Sequence, residues 1–112
     1  MSKLTETALA TIVNEAFDTA EKETNAYLAR EGDRDACGFA WVIIKPANCQ
    51  LAKYLTKIDK GRKAYGGGIQ VWNPSGNFTQ AITAKEIGAR AFVEVIRKHM
   101  PEVNISSDSR MD

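Results

Sequence analysis

The chain reads as a two-layer α+β domain, with a long N-terminal helix and two further helices packed on a small mixed sheet of about four strands, in the order α-β-α-β-β-α-β. Three observations predict this. Apolar residues recur at helical spacing over residues 4–30, an unbroken apolar run Phe39 to Ile44 sits between Gly38 and Pro46, and a second helical pattern runs from Ala84 to about His99, stopped by Pro101. A length of 112 residues fits one domain spanning 1–112, divided into an N-terminal helix (1–32) and an α/β core (36–112).

In the first helix Leu9, Ile12, Val13, Ala16, Phe17 and Ala20 line one face, and Glu6, Asn14, Glu15, Asp18, Glu21 and Lys22 the other. Gly32 is its stop signal, before the polar linker Asp33-Arg34-Asp35. Gly38 to Lys45 is the clearest strand. Both of its faces are apolar, which predicts a central strand covered on both sides and ended by Pro46. Asn48 is placed to cap a short helix reaching Ile58, followed by a basic turn, Asp59 to Lys63.

Next comes a hairpin, Tyr65 to Ile82. Its first strand, Gly67 to Trp72, alternates Ile69 and Val71 with Gln70 and Trp72. Asn73-Pro74-Ser75-Gly76 fits a type I turn, and Asn77 to Ile82 returns as the second strand. Thr83-Ala84-Lys85-Glu86 has the spacing of a capping box for the last helix. Gly88 inside that helix costs about 1 kcal/mol relative to alanine, which marks it as a point of close packing. Val103 to Ser106 is a final strand, and the polar tail after it is expected to fray.

Apolar residues make up 44% of the chain and charged residues 26%, with a net charge of +1, so no whole-protein field directs it to nucleic acid or anionic lipid. Charge is instead segregated. Residues 1–35 hold four Lys/Arg against eight Asp/Glu, a balance of −4; residues 45–63 hold six against one, a balance of +5; residues 64–83 hold no charged side chain. Cys37 and Cys49 match neither a zinc nor a redox spacing and read as reduced core thiols. No signal peptide pattern and no membrane-length apolar run is visible, so a cytoplasmic protein with no membrane association is expected.

The neutral hairpin is the most site-like stretch. Gly66, Gly67 and Gly68 either bring bare amides to a phosphate beside Arg62 and Lys63, or form a tight strand crossing. Trp72, among Asn73, Ser75 and Gln80, suits a flat polar group such as a nucleobase, and equally suits core packing or a protein interface. If the last strand continues through the tail, Arg110 supplies a bidentate contact to phosphate. His99, the single histidine, falls in the last turn of a helix, where it caps more readily than it catalyses. No catalytic triad, metal-ligand cluster or cofactor motif emerges, so no catalytic residue, metal or cofactor is expected.

Cys37-Gly38-Phe39-Ala40-Trp41-Val42, Gly66-Gly67-Gly68, Trp72-Asn73-Pro74-Ser75-Gly76, Thr79-Gln80, Lys85-Glu86-Ile87-Gly88-Ala89 and Ser109-Arg110-Met111-Asp112 resemble a group of uncharacterised small proteins of tailed phages and prophages. The similarity covers residues 36–112 and implies a phage accessory protein acting in a bacterial cytoplasm, in counter-defence or host takeover. The expected function is non-enzymatic binding of a small phosphorylated or nucleotide-like ligand. A protein-interaction module that inhibits a host protein stands second. Nucleic-acid binding stands third, because six basic residues with few interleaved aromatics make a weak footprint. A homo-oligomer is expected, since a domain of this size often builds its pocket between subunits.

Overall fold

A computed structural model describes residues 4–32 and 36–111; the expected linker Asp33-Arg34-Asp35 lies outside them. The elements are α1 (Glu6–Glu31), β1 (Gly38–Lys45), α2 (Gln50–Lys57), β2 (Arg62–Lys63), β3 (Ile69–Trp72), α3 (Ile82–His99) and β4 (Asn104–Met111). The α+β class and the element order are as the sequence predicts. The sheet, ordered β2-β3-β1-β4, is antiparallel at every pairing rather than mixed.

Thr5 caps α1, its hydroxyl accepting the Ala8 N–H at 3.0 Å. Gly32, at φ 78°, ends the helix by donating its N–H to the Leu28 carbonyl. The buried stripe of α1 is Leu9, Ile12, Val13, Ala16, Ala20 and Thr24. Its small C-terminal half allows α3 to approach closely, and this is the principal helix pairing of the fold. The Thr24 hydroxyl donates to the Ala84 carbonyl at 2.8 Å, satisfying a fully buried polar group, and Phe17 meets the buried Phe92 edge-on at 4.9 Å. As its sequence position suggested, Gly88 is the contact point with Thr24.

All three helices leave one side of the sheet uncovered. α3 lies over β1 and β4, and α2 over β1 and β3. Burial along β1 therefore alternates: Gly38, Ala40, Val42 and Ile44 face the helices, whereas Phe39, Trp41 and Ile43 are only partly buried. This corrects the expectation of a strand covered on both sides. Among the described residues no further element lies over the second face.

Four other local expectations are corrected. Residues 77–80 form no strand; β3 pairs instead with β1 and the short β2, and only a bridge from Cys37 to Ala81 marks the return. The capping box at Thr83 does not form, because α3 starts earlier: Ile82 is buried against the sheet, donates its N–H to Ala36 and makes Ala81 the N-cap. Likewise Cys49, not Asn48, is the N-cap of α2. Neither thiol is a core residue, since Cys37 is exposed at the start of β1 and Cys49 is half-buried.

The tail is a strand. β4 pairs with β1 over its full eight residues, from Asn104 opposite Lys45 to Met111 opposite Gly38. Ile105 anchors it inward, and the Ser109 hydroxyl donates to Glu86 of α3.

At the far end of α3, Lys98 and His99 both reach Glu15 of α1, each at 2.9 Å. The hydrogen bond from Lys98, followed by that from His99, holds the Glu15 carboxyl below its ordinary value of 4.5. A depressed folded-state pKa contributes stability that is present above the unfolded-state value and lost as pH falls through the folded one. Wild type is therefore expected to melt above Glu15→Gln at about pH 5.5 and to lose that margin progressively as pH falls below the ordinary carboxylate value. Paired thermal melts check this; a margin independent of pH contradicts it.

Candidate functional site

The uncovered face of the sheet holds the exposed aromatic residues of the strands. Side chains directly opposite one another in an antiparallel pair share a face, so the register places Trp72 of β3 beside Trp41 of β1, and Phe39 beside Arg110 of β4. The Trp41 and Trp72 rings are stacked, 5.4 Å between centroids and 8° from parallel. The Phe39 ring lies 5.4 Å from Trp72 at a tilt of 35°. Trp72 is 49% exposed, which excludes the reading in which it packs into the core.

Cations border these rings. The Arg110 guanidinium is 5.9 Å from the Phe39 centroid, and the Lys85 ammonium, reaching round from the first turn of α3, is 5.1 Å from it. Lys85 also donates to the Gly38 carbonyl at 2.9 Å, which fixes it at this corner. Arg110 has no carboxylate partner among the described residues. Along the remaining face stand Arg62 opposite Gln70, Ile43 opposite both Gln70 and Ser106, and Lys45 opposite Asn104. Asp108, opposite Trp41, is the one carboxylate on these strands, and its Oδ1 accepts the N–H of Ser109.

The ten residues singled out from sequence do not converge on one spot. Trp72, Arg110 and Arg62 share the open face. Lys63 does not, because it lies opposite the inward-facing Ile69 and so points to the helix side of the sheet edge. Arg62 carries an exposed ion pair to Asp59 at 2.7 Å, of the kind that contributes little and opens readily.

Gly66, Gly67 and Gly68 form the β2–β3 turn, all at positive φ. The turn is closed by its own backbone, Gly67 N–H to Ala64 and Ala64 N–H to Gly68, rather than left as a cradle of free amides. At Gly68 a Cβ would come within 2.6 Å of the Ile44 carbonyl oxygen, so glycine is needed there for close strand crossing; around Gly66 and Gly67 there is open space. The run also sits at the opposite end of β3 from Trp72, about 13 Å away at the usual strand rise.

Asn73 and Ser75 are engaged in the turn they form. The Gly76 N–H donates to the Asn73 carbonyl, the Asn73 amide donates to the Asn77 carbonyl, and the Ser75 hydroxyl links Asn73 and Asn77. Ser75 is buried beneath α3. This turn and Trp72 border a cleft of about 340 Å³ that also holds Asp18, Glu21 and Lys60, two carboxylates against one ammonium, a balance that disfavours an anion. Gln80 is exposed, and its carbonyl accepts the Gly38 N–H.

Sequence reading missed Phe39, Trp41 and Lys85. The available signal was the order Phe-Ala-Trp-Val-Ile-Ile, in which large aromatics occupy one parity and small residues begin the other. Among the described residues no three His, Cys, Asp or Glu side chains are grouped to hold a metal ion, and no helix is long and apolar enough to cross a membrane. Comparison with protein-family models, curated proteins and solved structures returns no match to this chain.

Proposed function

We propose that this protein binds a nucleotide-like, phosphate-bearing ligand on the open face of its sheet and acts without catalysing a reaction. The observation that carries the reading is the half-exposed Trp72 stacked on Trp41, with Phe39 and the Arg110 guanidinium beside it. A half-exposed indole gives a nucleobase an aromatic surface to pack on, and a neighbouring guanidinium gives its phosphate a bidentate partner. The binding residues in this reading are Phe39, Trp41, Trp72, Arg62 and Arg110. In a phage protein acting in a bacterial cytoplasm, such binding removes a nucleotide from host or defence signalling by sequestration.

A second reading, an interface for a host protein or for another copy of the chain, is favoured by Tyr65 and Phe78, which are fully exposed outside the aromatic platform. The two readings separate in one experiment. Purified protein is titrated with a panel of ribonucleotides while its tryptophan fluorescence and melting temperature are followed. Quenching together with a raised melting temperature is expected, because a ligand that binds only the folded state stabilises it. No response to any nucleotide, with capture of a host protein that is lost in Trp72→Ala, assigns the face to a protein partner instead.

A further inference from the structure

We infer that the preferred ligand of this face is a short run of single-stranded nucleic acid laid across the strands, of which a free nucleotide is the smallest and more weakly held unit. The inference rests on the nucleotide-binding reading above and specifies its substrate class. Shape is the first argument. Small-molecule sites are concave and bury most of the ligand, whereas this platform is the uncovered side of a four-stranded sheet, with no element of the described residues placed over it. A single nucleotide there gains one stacking contact and stays largely in water. A strand of several nucleotides repeats the contact and excludes water between neighbours.

Multiplicity is the second argument. Three rings, Phe39, Trp41 and Trp72, occupy two adjacent strands and offer more than one stacking position. Arg62 on β2 and Arg110 on β4 stand at the two edges of the sheet, three strand spacings apart and offset by four residues along the strands, so about 19 Å separates them. That span exceeds one nucleotide. Gln70 beside Arg62, and Ser106 in the same row of β4, offer neutral hydrogen-bonding groups to base edges.

Charge is the third. Among the described residues Lys45, Arg62 and Arg110 stand on the face against Asp108 and the Asp59 paired to Arg62, so the platform keeps a net positive charge of about one although the chain as a whole is nearly neutral. Three cations suit a few successive phosphates. They do not suit the long contact of a duplex backbone, and flat strands lying in a sheet cannot reach bases that are already paired and stacked.

The test uses the full chain and four probes under identical conditions: uridine monophosphate, a uridine trinucleotide, a uridine octanucleotide, and an RNA duplex of the same length. Intrinsic tryptophan fluorescence reads the unlabelled probes and competition against a labelled octamer reads the duplex. The octanucleotide is expected to bind at least about a hundredfold more tightly than the monophosphate, with the duplex at least about tenfold weaker than the octanucleotide. With three phosphate contacts, log affinity should fall against log salt with a slope of about −2, and Arg110→Gln or Arg62→Gln should each make it shallower by about 0.7. Equal affinity for monophosphate and octanucleotide overturns this inference and leaves the small-ligand reading standing. Equal binding of duplex and single strand also overturns it, pointing to charge alone. If no probe binds, both readings fall, and concentration-dependent self-association lost in Trp72→Ala would mark the face as a protein interface.

Discussion

Replacing Gly88 with valine is expected to lower the stability of this protein by about 3 kcal/mol, at the upper end of what overpacking a core costs. A Cβ built at Gly88 lies 2.6 Å from the Thr24 hydroxyl oxygen, 2.9 Å from the Ser75 Cβ and 3.4 Å from the Ala20 carbonyl oxygen. None of these neighbours has room to yield. Thr24 is fully buried and holds its hydrogen bond to Ala84, and Ser75 is fixed inside its turn. Valine adds two further methyl groups to that first clash. A domain of this size loses roughly 4–8 °C of melting temperature per kcal/mol, so a fall of about 12–24 °C is expected in a thermal melt. Gly88→Ala should cost less, because its better helix propensity returns about 1 kcal/mol. An unchanged melting temperature in the valine variant would contradict the close approach of α1 and α3. Since Ser75 belongs to the turn that ends β3, the same clash should also disturb the position of Trp72.

Trp72→Ala is expected to weaken ligand binding roughly ten- to a hundredfold, because base stacking on an aromatic side chain is worth about 1–3 kcal/mol by alanine substitution. The fold should survive. Trp72 is half-exposed, and the variant forfeits chiefly its ring contacts with Trp41 and Phe39, each pair contributing about 0.5–1.5 kcal/mol. Trp72→Phe keeps an aromatic face and should recover much of the affinity, whereas Trp72→Leu keeps bulk and should not. Fluorescence of the remaining Trp41, or calorimetry, measures the difference. Leucine matching phenylalanine would mean that the face recognises its partner by apolar contact rather than by stacking.

The scaffold was legible from sequence wherever one local signal dominated. Gly32 stops α1, Pro46 ends β1 and Gly88 marks the tightest helix contact, each for the reason its chemistry gives. The open face was not legible, and the cause lies in β1. Residues at both parities of that strand are apolar, so the alternation that identifies a one-sided strand is absent even though burial alternates cleanly. The continuation of β4 beyond Ser106 was hidden for the opposite reason. Ser106-Ser107-Asp108-Ser109-Arg110 has weak strand propensity, and only pairing with β1 along its full length makes it a strand.

The aromatic cluster is likewise a product of register. Trp41 and Trp72 are far apart in sequence and become neighbours only when β1 and β3 align. Along the chain the aromatics look too sparse beside the basic residues to suggest nucleic acid. Across the strands they interleave with Arg62 and Arg110, which is why single-stranded nucleic acid rises from the least favoured binding partner to the inferred one.

The central claim is that the uncovered side of the sheet is the binding surface. Amide and indole chemical shifts of isotope-labelled protein, followed while the uridine octanucleotide is added, test it most directly. The indole N–H signals of Trp41 and Trp72 should move first, with backbone amides of residues 39–43, 70–72 and 106–110, while the amides of α1 and α2 stay in place. Shifts gathered instead around the apolar cavity between Leu4, Pro46, Cys49 and Met100, or along the acidic face of α1, would contradict it.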